Sequence, residues 1–114
     1  MQRGQSELGS LGRFEEPAVL ILTSLVEGPR HGYAIGRWIR ETTSDDVVVQ
    51  EGALYPALHR LERRGWIKAT WGASENNRKA KFYALTRAGR KQLDAQTGAW
   101  RALTSAVDLL LDTP

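Results

Sequence analysis

The stretch EGALYPALHRLERRGWI, residues 51–67, predicts an amphipathic helix followed by a different structure. Its apolar residues recur at helical spacing and form one stripe, which contains Leu54, Ala57, Leu58 and Leu61. Gly65 predicts the end of the helix, because glycine tolerates a positive φ. An alternating pattern begins at Trp66, so a strand is expected there.

The opposite face of this helix carries side chains that donate hydrogen bonds to phosphates or base edges. These side chains are Tyr55, His59, Arg60, Arg63 and Arg64. Such a face suits a helix that lies in the major groove of DNA. On this stretch alone, a solvated surface helix is an equally consistent interpretation.

Composition limits the class of protein. A chain of 114 residues suits one domain with one modest core. The absence of cysteine and of a long apolar run favours a cytoplasmic protein with no membrane span. Residues 1–13 lack the apolar centre of a secretory signal, and we expect a mobile polar tail. Two histidines without cysteine make a zinc site improbable, so we expect no metal and no other cofactor.

Positive charge is concentrated in one part of the chain. Residues 59–91 hold ten of the 16 Lys and Arg residues and only two acids, a net charge of +8, whereas the remainder carries −5. This segregation favours a polyanionic partner. Because the cations span a helix and two strands rather than one amphipathic surface helix, nucleic acid is preferred over a membrane.

The sequence before residue 51 predicts two helices and a strand. Pro17 suits the first turn of a helix, and Ala18–Val26 is apolar enough for that helix to be buried on nearly all sides. A second helix is expected from His31, which we interpret as a helix-start residue rather than a catalyst. The β-branched run Val47–Val49 predicts a short strand.

A β-hairpin follows residue 66. Ile67, Ala69 and Trp71 alternate with Lys68 and Thr70, and a second alternating run covers Lys81, Phe82, Tyr83 and Ala84. Trp66 and Trp71 are expected to pack in the core and the hairpin. Between the strands, residues 72–77 have loop composition, and their adjacent asparagines can adopt the left-handed conformation. The tip is basic, since Arg78, Lys79 and Lys81 follow.

The last helix is capped by Thr86 and is expected to run to about Leu111. An apolar seam with one polar member follows a heptad pattern along it: Leu93, Gln96, Trp100, Leu103, Val107 and Leu110. The helix carries too few charges to be exposed on most sides. A homodimer would cover the seam, and packing against Ala18–Val26 would cover part of it.

Three segments in this order resemble the PadR-like transcriptional regulators. They are LVEGPRHGY (residues 25–33), GALYPALHRLERRGWI (residues 52–67) and RKAKFYALTRAG (residues 78–89). The resemblance covers about residues 14–111 and implies a mostly α fold with a small β-hairpin (α+β), in which a winged helix-turn-helix domain (residues 14–86) precedes a dimerisation helix (residues 87–114). It further implies a homodimeric repressor that binds a palindromic operator in double-stranded DNA and is released by a small molecule.

The resemblance also implies site residues. The recognition helix would contact DNA through Gln50, Ala53, Tyr55, Pro56, His59, Arg60 and Arg63. The wing would contact DNA through Asn76, Asn77, Arg78, Lys79 and Lys81. In the last helix, Trp100 stands where some family members bind an aromatic effector, so Trp100 is a candidate site for a planar aromatic ligand, although packing in the core of the dimer is the preferred interpretation. Gln50 and Ala53 depart from the serine and threonine that are common in the family.

Two other functional classes fit the sequence less well. A winged-helix module for protein–protein interaction would be expected to lose the basic hairpin tip, which this chain keeps. An enzyme is not expected, because His31 and His59 have no evident triad or metal-ligand partners and no glycine-rich phosphate loop precedes a helix.

Overall fold

The computed structural model describes residues 16–114, so the tail expected at residues 1–13 lies outside the described part. Its elements, in chain order, are α1 (Glu16–Ser24), β1 (Arg30–His31), α2 (Gly32–Thr42), α3 (Glu51–Arg63), β2 (Ile67–Ala73), β3 (Lys79–Leu85) and α4 (Arg87–Leu111). The three strands form one antiparallel sheet in the order β1-β3-β2. This α+β arrangement confirms the predicted fold class.

One core joins all four helices to the sheet. Its buried members are Ala18, Ile21, Leu22, Leu25, Ile35, Ile39, Leu54, Ala57, Leu58, Leu61, Ile67, Tyr83 and Leu93. The first helix ends at Ser24, earlier than the apolar run suggested. Val26 therefore lies beyond the helix and is exposed, which corrects the expectation that the whole run is buried.

The predicted strand at Val47–Val49 is wrong, and the third strand lies elsewhere. Arg30 and His31 pair with Tyr83 and Phe82 of β3. A strand needs a neighbour for its hydrogen bonds, and this pairing already occupies the edge of β3. Val47–Val49 has no regular secondary structure, and its first N–H donates to the side-chain oxygen of Thr43 at 3.1 Å instead of to a strand.

The two residues of β1 also connect α1 to α2. The Nε of Arg30 donates to the carbonyl of Ser24 at 2.6 Å, just where α1 ends. The Nδ1 of His31 accepts a hydrogen bond from the backbone N–H of Ala34 at 3.3 Å and caps α2. The interpretation of His31 as a helix-start residue is therefore confirmed.

The hairpin reaches past the core. Ala69 pairs with Tyr83, and Ile67 pairs with Leu85, so these residues share the inner face of the sheet. Trp71 lies on the same face two residues further along, yet it is 63% exposed. The centre of its ring lies 5.0 Å from the Nζ of Lys79 on β3, so Trp71 packs on the hairpin and not in the core.

The start of α4 is fixed against the end of α3. The hydroxyl of Thr86 donates to the carbonyl of Gly65 at 2.6 Å and accepts from the N–H of Gly89 at 3.0 Å, which confirms the predicted cap. Gly65 has a φ of +78°, the left-handed conformation that stops α3. A Cβ on Gly89 would overlap the carbonyl oxygen of Trp66, so only glycine fits there.

Burial decreases along α4. Leu93 belongs to the core, Leu103 is half-buried, and Leu109, Leu110 and Leu111 are largely exposed. Among residues 16–114, no helix combines the length and the apolar character that crossing a membrane requires.

Candidate nucleic-acid interface

The exposed ridge of α3 lies opposite its buried stripe. The predicted stripe is confirmed, because Leu54, Ala57, Leu58 and Leu61 are all buried. Residues spaced three or four apart lie on one side of a helix, and this spacing places Gly52, Pro56, His59 and Arg63 along one line of exposed positions. Arg60 and Ala53 are exposed beside that line. The helix therefore presents a continuous surface that the fold does not cover.

Cationic donors occupy the second half of this ridge. Within residues 16–114, neither Arg60 nor Arg63 lies within ion-pair distance of a carboxylate. Their guanidinium groups therefore retain their hydrogen-bonding capacity for another molecule. Arg64 differs, since its Cζ lies 5.0 Å from the centre of the Trp66 ring.

The first turn of α3 offers almost no side-chain donors. Gln50 is the N-cap residue, but its side chain makes no capping hydrogen bond. Gly52 has no atom within 4 Å of the place where a Cβ would be. Ala53 and Pro56 are exposed. A serine at position 50 could cap the helix, whereas this glutamine leaves its amide uninvolved in the cap.

Tyr55 lies at the edge of the ridge and contacts α2. Its ring covers Gly32 so closely that a Cβ there would come within 2.9 Å of the hydroxyl oxygen. The packing surface of the ring is therefore Gly32, which lies far from it in the sequence. Burial, with a smaller effect from the Glu51 carboxylate, raises the pKa of Tyr55. The hydroxyl therefore stays protonated at neutral pH and remains a donor.

The tip of the hairpin is a tight, exposed loop. The N–H of Ser74 donates to the carbonyl of Arg78 at 2.8 Å, and the N–H of Asn77 donates to the carbonyl of Ser74 at 2.8 Å. Asn77 has a φ of 58°, which confirms that an asparagine here adopts the left-handed conformation. Asn76, Asn77, Arg78 and Lys79 are all exposed.

Lys81 is set apart from the cations of the tip. Its Nζ lies 3.5 Å from Oε1 of Glu62, so this ion pair joins β3 to α3. The same ammonium lies 5.7 Å from the centre of the Tyr83 ring. Burial raises the pKa of Tyr83, and the positive charge of Lys81 only partly opposes that shift. The geometry makes Lys81 a residue that positions the hairpin against α3.

Sequence reasoning missed a contribution from α2. Tyr33, Arg37 and Arg40 line a groove of about 100 Å³ that Glu51 and Tyr55 also border. The Cζ of Arg37 lies 5.6 Å from the centre of the Tyr33 ring. The sequence feature that predicts this groove is the spacing of three residues between Arg37 and Arg40, because it keeps both side chains on one side of α2.

The groove beside Tyr55 is continuous with the ridge of α3, because Tyr55 borders both. Three elements therefore contribute to this surface. The helix α3 carries the ridge, and α2 adds Arg37 and Arg40 next to the first turn of α3. The strand β3 is joined to the last turn of α3 by the ion pair between Lys81 and Glu62. No group of three or more His, Cys, Asp or Glu residues in the described part of the chain could hold a metal ion.

The positions of the predicted dimer seam divide into two groups. Leu93 is only 6% exposed and belongs to the core of the single chain, so it has no free surface for a partner. Gln96 and Leu103 are half-buried, whereas Trp100, Val107 and Leu110 are exposed. The structure thus moves the start of the seam from Leu93 towards the second half of α4.

A family model and similar solved structures both match this chain to transcriptional regulators. The model of the transcriptional regulator PadR-like family matches residues 21–95. A transcriptional regulator from Clostridium thermocellum has a solved structure that is similar with a TM-score of 0.75 and 30% identity, over 87% of this chain and 95% of that one. A PadR family transcription regulator from Clostridium difficile is similar with a TM-score of 0.74 and 28% identity, over 83% of this chain and 97% of that one. An uncharacterised protein from Lysinibacillus sphaericus is 29% identical over 93 residues, which are 82% of this chain and 85% of its own length.

Proposed function

We propose that this chain, which belongs to the PadR-like family of transcriptional regulators, is a repressor that binds a palindromic operator as a homodimer and is released by a small molecule. The family makes the chain a DNA-binding transcriptional regulator. Its mode of binding, its dimer and its response to a ligand are the proposed parts.

The recognition element is α3, which we place in the major groove. One observation carries this assignment: the apolar stripe of α3, made of Leu54, Ala57, Leu58 and Leu61, is buried, while His59, Arg60 and Arg63 stand exposed on the other side. The major groove admits an α-helix, and an arginine there pairs with O6 and N7 of guanine. Gln50 is a further proposed base contact, and its amide is available for it because it makes no capping hydrogen bond.

The hairpin and α2 would hold the backbone of the DNA on either side of α3. Arg78 and Lys79 extend from the hairpin tip beside Asn76 and Asn77, and each cation that neutralises a phosphate adds affinity without reading sequence. The neutral hydroxyl of Tyr55 would donate to a phosphate at the border between α3 and α2.

The partner for the second half of α4 would be the same helix of another copy. Trp100, Val107 and Leu110 are exposed and apolar, and a two-fold pair of such helices would cover both seams at once. A two-fold dimer places its recognition helices about 34 Å apart on successive turns of DNA, which requires a palindromic operator.

The proposed ligand is a planar aromatic molecule at Trp100. Gly98 and Ala99 precede Trp100, and both are small and exposed, so they leave room for a ligand beside the indole. A ligand that favoured a different crossing of the two α4 helices would change the distance between the recognition helices and release the DNA.

The test compares two arginines. A duplex selected from genomic fragments by the purified protein serves as the probe, and Arg63→Ala is expected to weaken its binding by about 1–3 kcal/mol with relaxed preference at one base position. Arg101→Ala removes an equally exposed arginine from the middle of α4 and should leave base preference unchanged. Equal affinity and equal base preference in the Arg63→Ala variant and the wild type would remove α3 as the reading helix.

A further inference from the structure

The exposed surface of α3 changes character along its length. Its second half carries the hydrogen-bonding side chains His59, Arg60 and Arg63. Its first half carries Gly52, Ala53 and Pro56, all exposed and all without a polar side-chain atom. Their spacings of three and four residues make them neighbours on the helix surface. We call Gly52, Ala53 and Pro56 the apolar patch of α3.

Packing within the chain does not account for the composition of this patch. The position of a Cβ on Gly52 has no neighbour within 4 Å, so the fold leaves room for a larger side chain. Pro56 lies inside α3, where proline cannot donate the backbone hydrogen bond of a helix. Glycine and proline both disfavour a helix interior relative to alanine. Gly52 and Pro56 are exposed and are not residues that the helix itself favours, so their presence is best explained by what the surface contacts.

The major groove offers one apolar group that such a patch can recognise. Guanine, cytosine and adenine present hydrogen-bonding atoms but no methyl group there, whereas thymine also presents its 5-methyl group. An apolar surface placed over a G·C pair would take polar atoms away from water without replacing their hydrogen bonds, which is unfavourable. Over thymine, the same surface gains by burying the methyl group.

We infer that the apolar patch of α3 selects thymine in the operator by packing on its 5-methyl group. This inference rests on the proposed insertion of α3 into the major groove and adds the base that its first half prefers. The missing side chain of Gly52 lets the helix approach the base closely, and Ala53 and Pro56 supply the apolar contact.

The neighbours of the patch are compatible with an A·T pair. Gln50 precedes the patch with its side chain uninvolved in capping, and a glutamine amide pairs with N6 and N7 of adenine. Glu51, an acid beside the patch, acts on the hydroxyl of Tyr55. Glu51 and Tyr55 both border the groove that α2 lines with Arg37 and Arg40.

The experiment removes the methyl group from the DNA instead of changing the protein. Duplexes are selected from a random library by the purified full chain, and each thymine of the selected half-site is then replaced by uracil, one at a time. Burial of one methyl group changes affinity by about fourfold. We expect a reduction of this size at one or two positions in each half-site and no reduction at the others.

Two variants assign the effect to the patch. In Ala53→Gly or in Pro56→Ala, the ratio of affinities for thymine and uracil duplexes should fall from about four towards one. Each variant is compared with itself on two duplexes, so a change in helix stability cancels. Ala88→Gly is the matched control, because Ala88 is an exposed alanine in the first turn of α4, and it should keep the wild-type ratio.

The outcomes separate this inference from the proposed function. If uracil is tolerated at every position while Arg63→Ala still weakens binding, thymine selection is overturned and α3 remains the reading helix. A uracil penalty that persists unchanged in both patch variants also overturns the inference, since another side chain then contacts the methyl group. If no sequence is enriched from the library, the proposed operator binding itself fails.

Discussion

The helices α3 and α4 are both amphipathic, yet within residues 16–114 only the apolar stripe of α3 is fully covered. In α3 every apolar residue of the stripe is buried, down to 0% exposure at Leu58, and the second half of the exposed side is cationic. In α4 exposure of the apolar seam rises from 6% at Leu93 through 40% at Trp100 to 74% at Leu110. Both patterns look alike in the sequence, where each is an apolar stripe at helical spacing.

The difference lies in what each helix has to pack against. The stripe of α3 faces α1, α2 and the sheet together, so the fold covers it completely. The helix α4 runs for about 37 Å at 1.5 Å per residue; Leu93 in its first half belongs to the core, whereas Leu109, Leu110 and Leu111 at its end are largely exposed. A helix whose apolar stripe is fully buried can bind a ligand with its other side. A helix whose apolar stripe is exposed needs a partner to cover that stripe.

The largest effect should come from making equal side-chain deletions in the two helices. Leu58→Ala removes a fully buried side chain and is expected to lower the free energy of unfolding by about 2–5 kcal/mol. Leu110→Ala removes a side chain that is 74% exposed in the single chain. Its expected effect is on self-association, with little change in secondary structure.

Urea unfolding at several protein concentrations and sedimentation velocity measure both effects. Leu58→Ala should destabilise the chain at every concentration, while Leu110→Ala should shift the monomer–dimer equilibrium towards monomer. If Leu110→Ala sediments as tightly associated a species as the wild type does, the second half of α4 is not the interface.

The contact that joins the two helices is the next most sensitive point. Gly89→Ala would push a methyl group against the backbone of Trp66, at the place where α4 meets the end of α3. Overpacking of this kind typically costs about 1–3 kcal/mol, and a backbone neighbour leaves little room for relief. Thermal unfolding should show the decrease in stability.

Gly98→Ala is the matched control for Gly89→Ala. Gly98 also lies in α4, and a Cβ there meets nothing within 4 Å. Its replacement should stabilise the helix by up to about 1 kcal/mol through propensity alone. Two substitutions of the same kind in one helix are thus expected to act in opposite directions, and a stabilising Gly89→Ala would contradict the close approach to Trp66.

The same contrast between α3 and α4 explains which parts of the fold the sequence predicts. The stripe, the cationic face and the stop at Gly65 are all predicted correctly for α3, because each depends on residues within one helix. The cap at Thr86 is equally local. Coverage of α4 is not local, since it depends on how far the core extends, and the sequence pattern is the same whether the seam is buried or free.

The misplaced strand has the same cause. Val47–Val49 has high strand propensity but no neighbour to pair with, while Arg30 and His31 have little apolar character and still form a strand on β3. Strand formation depends on an available edge more than on side-chain type. The packing of Tyr55 on Gly32 was missed for a related reason, because it joins residues that are distant in sequence.

The cations of the hairpin were predicted as one group, and the structure divides them. Lys81 is paired with Glu62 of α3, whereas Arg78 and Lys79 are at the exposed tip. The double substitution Arg78→Gln/Lys79→Gln should reduce the salt dependence of DNA binding by about 0.9 in the log–log slope for each phosphate that is no longer neutralised. Lys81→Gln should change the slope less, because its charge is already balanced.

Fluorescence anisotropy between about 50 and 200 mM salt, with Arg101→Gln as the control for net charge, measures these slopes. An unchanged slope in the tip variant would mean that Arg78 and Lys79 contact no phosphate. A slope change that is as large for Lys81→Gln as for the tip variant would show that the ion pair with Glu62 opens on binding.

The smallest expected effect concerns Trp100, which lies where the seam of α4 passes from covered to exposed. Stacking of a planar aromatic ligand on its indole is worth roughly 0.5–1.5 kcal/mol beyond burial, so Trp100→Ala should weaken such a ligand by roughly two- to tenfold through stacking alone. Calorimetric titration with phenolic acids and larger planar aromatics tests this. Trp71→Ala removes an even more exposed indole from the hairpin and should leave the affinity unchanged. If both variants bind equally well, the pocket lies away from Trp100; if no compound binds the wild type, the indole serves the dimer seam alone.

Ligand binding matters for regulation only if it also alters DNA affinity, because a ligand with equal affinity for both dimer geometries shifts nothing. The decisive measurement is therefore operator affinity with and without ligand, and it should fall for the wild type and Trp71→Ala but stay constant for Trp100→Ala.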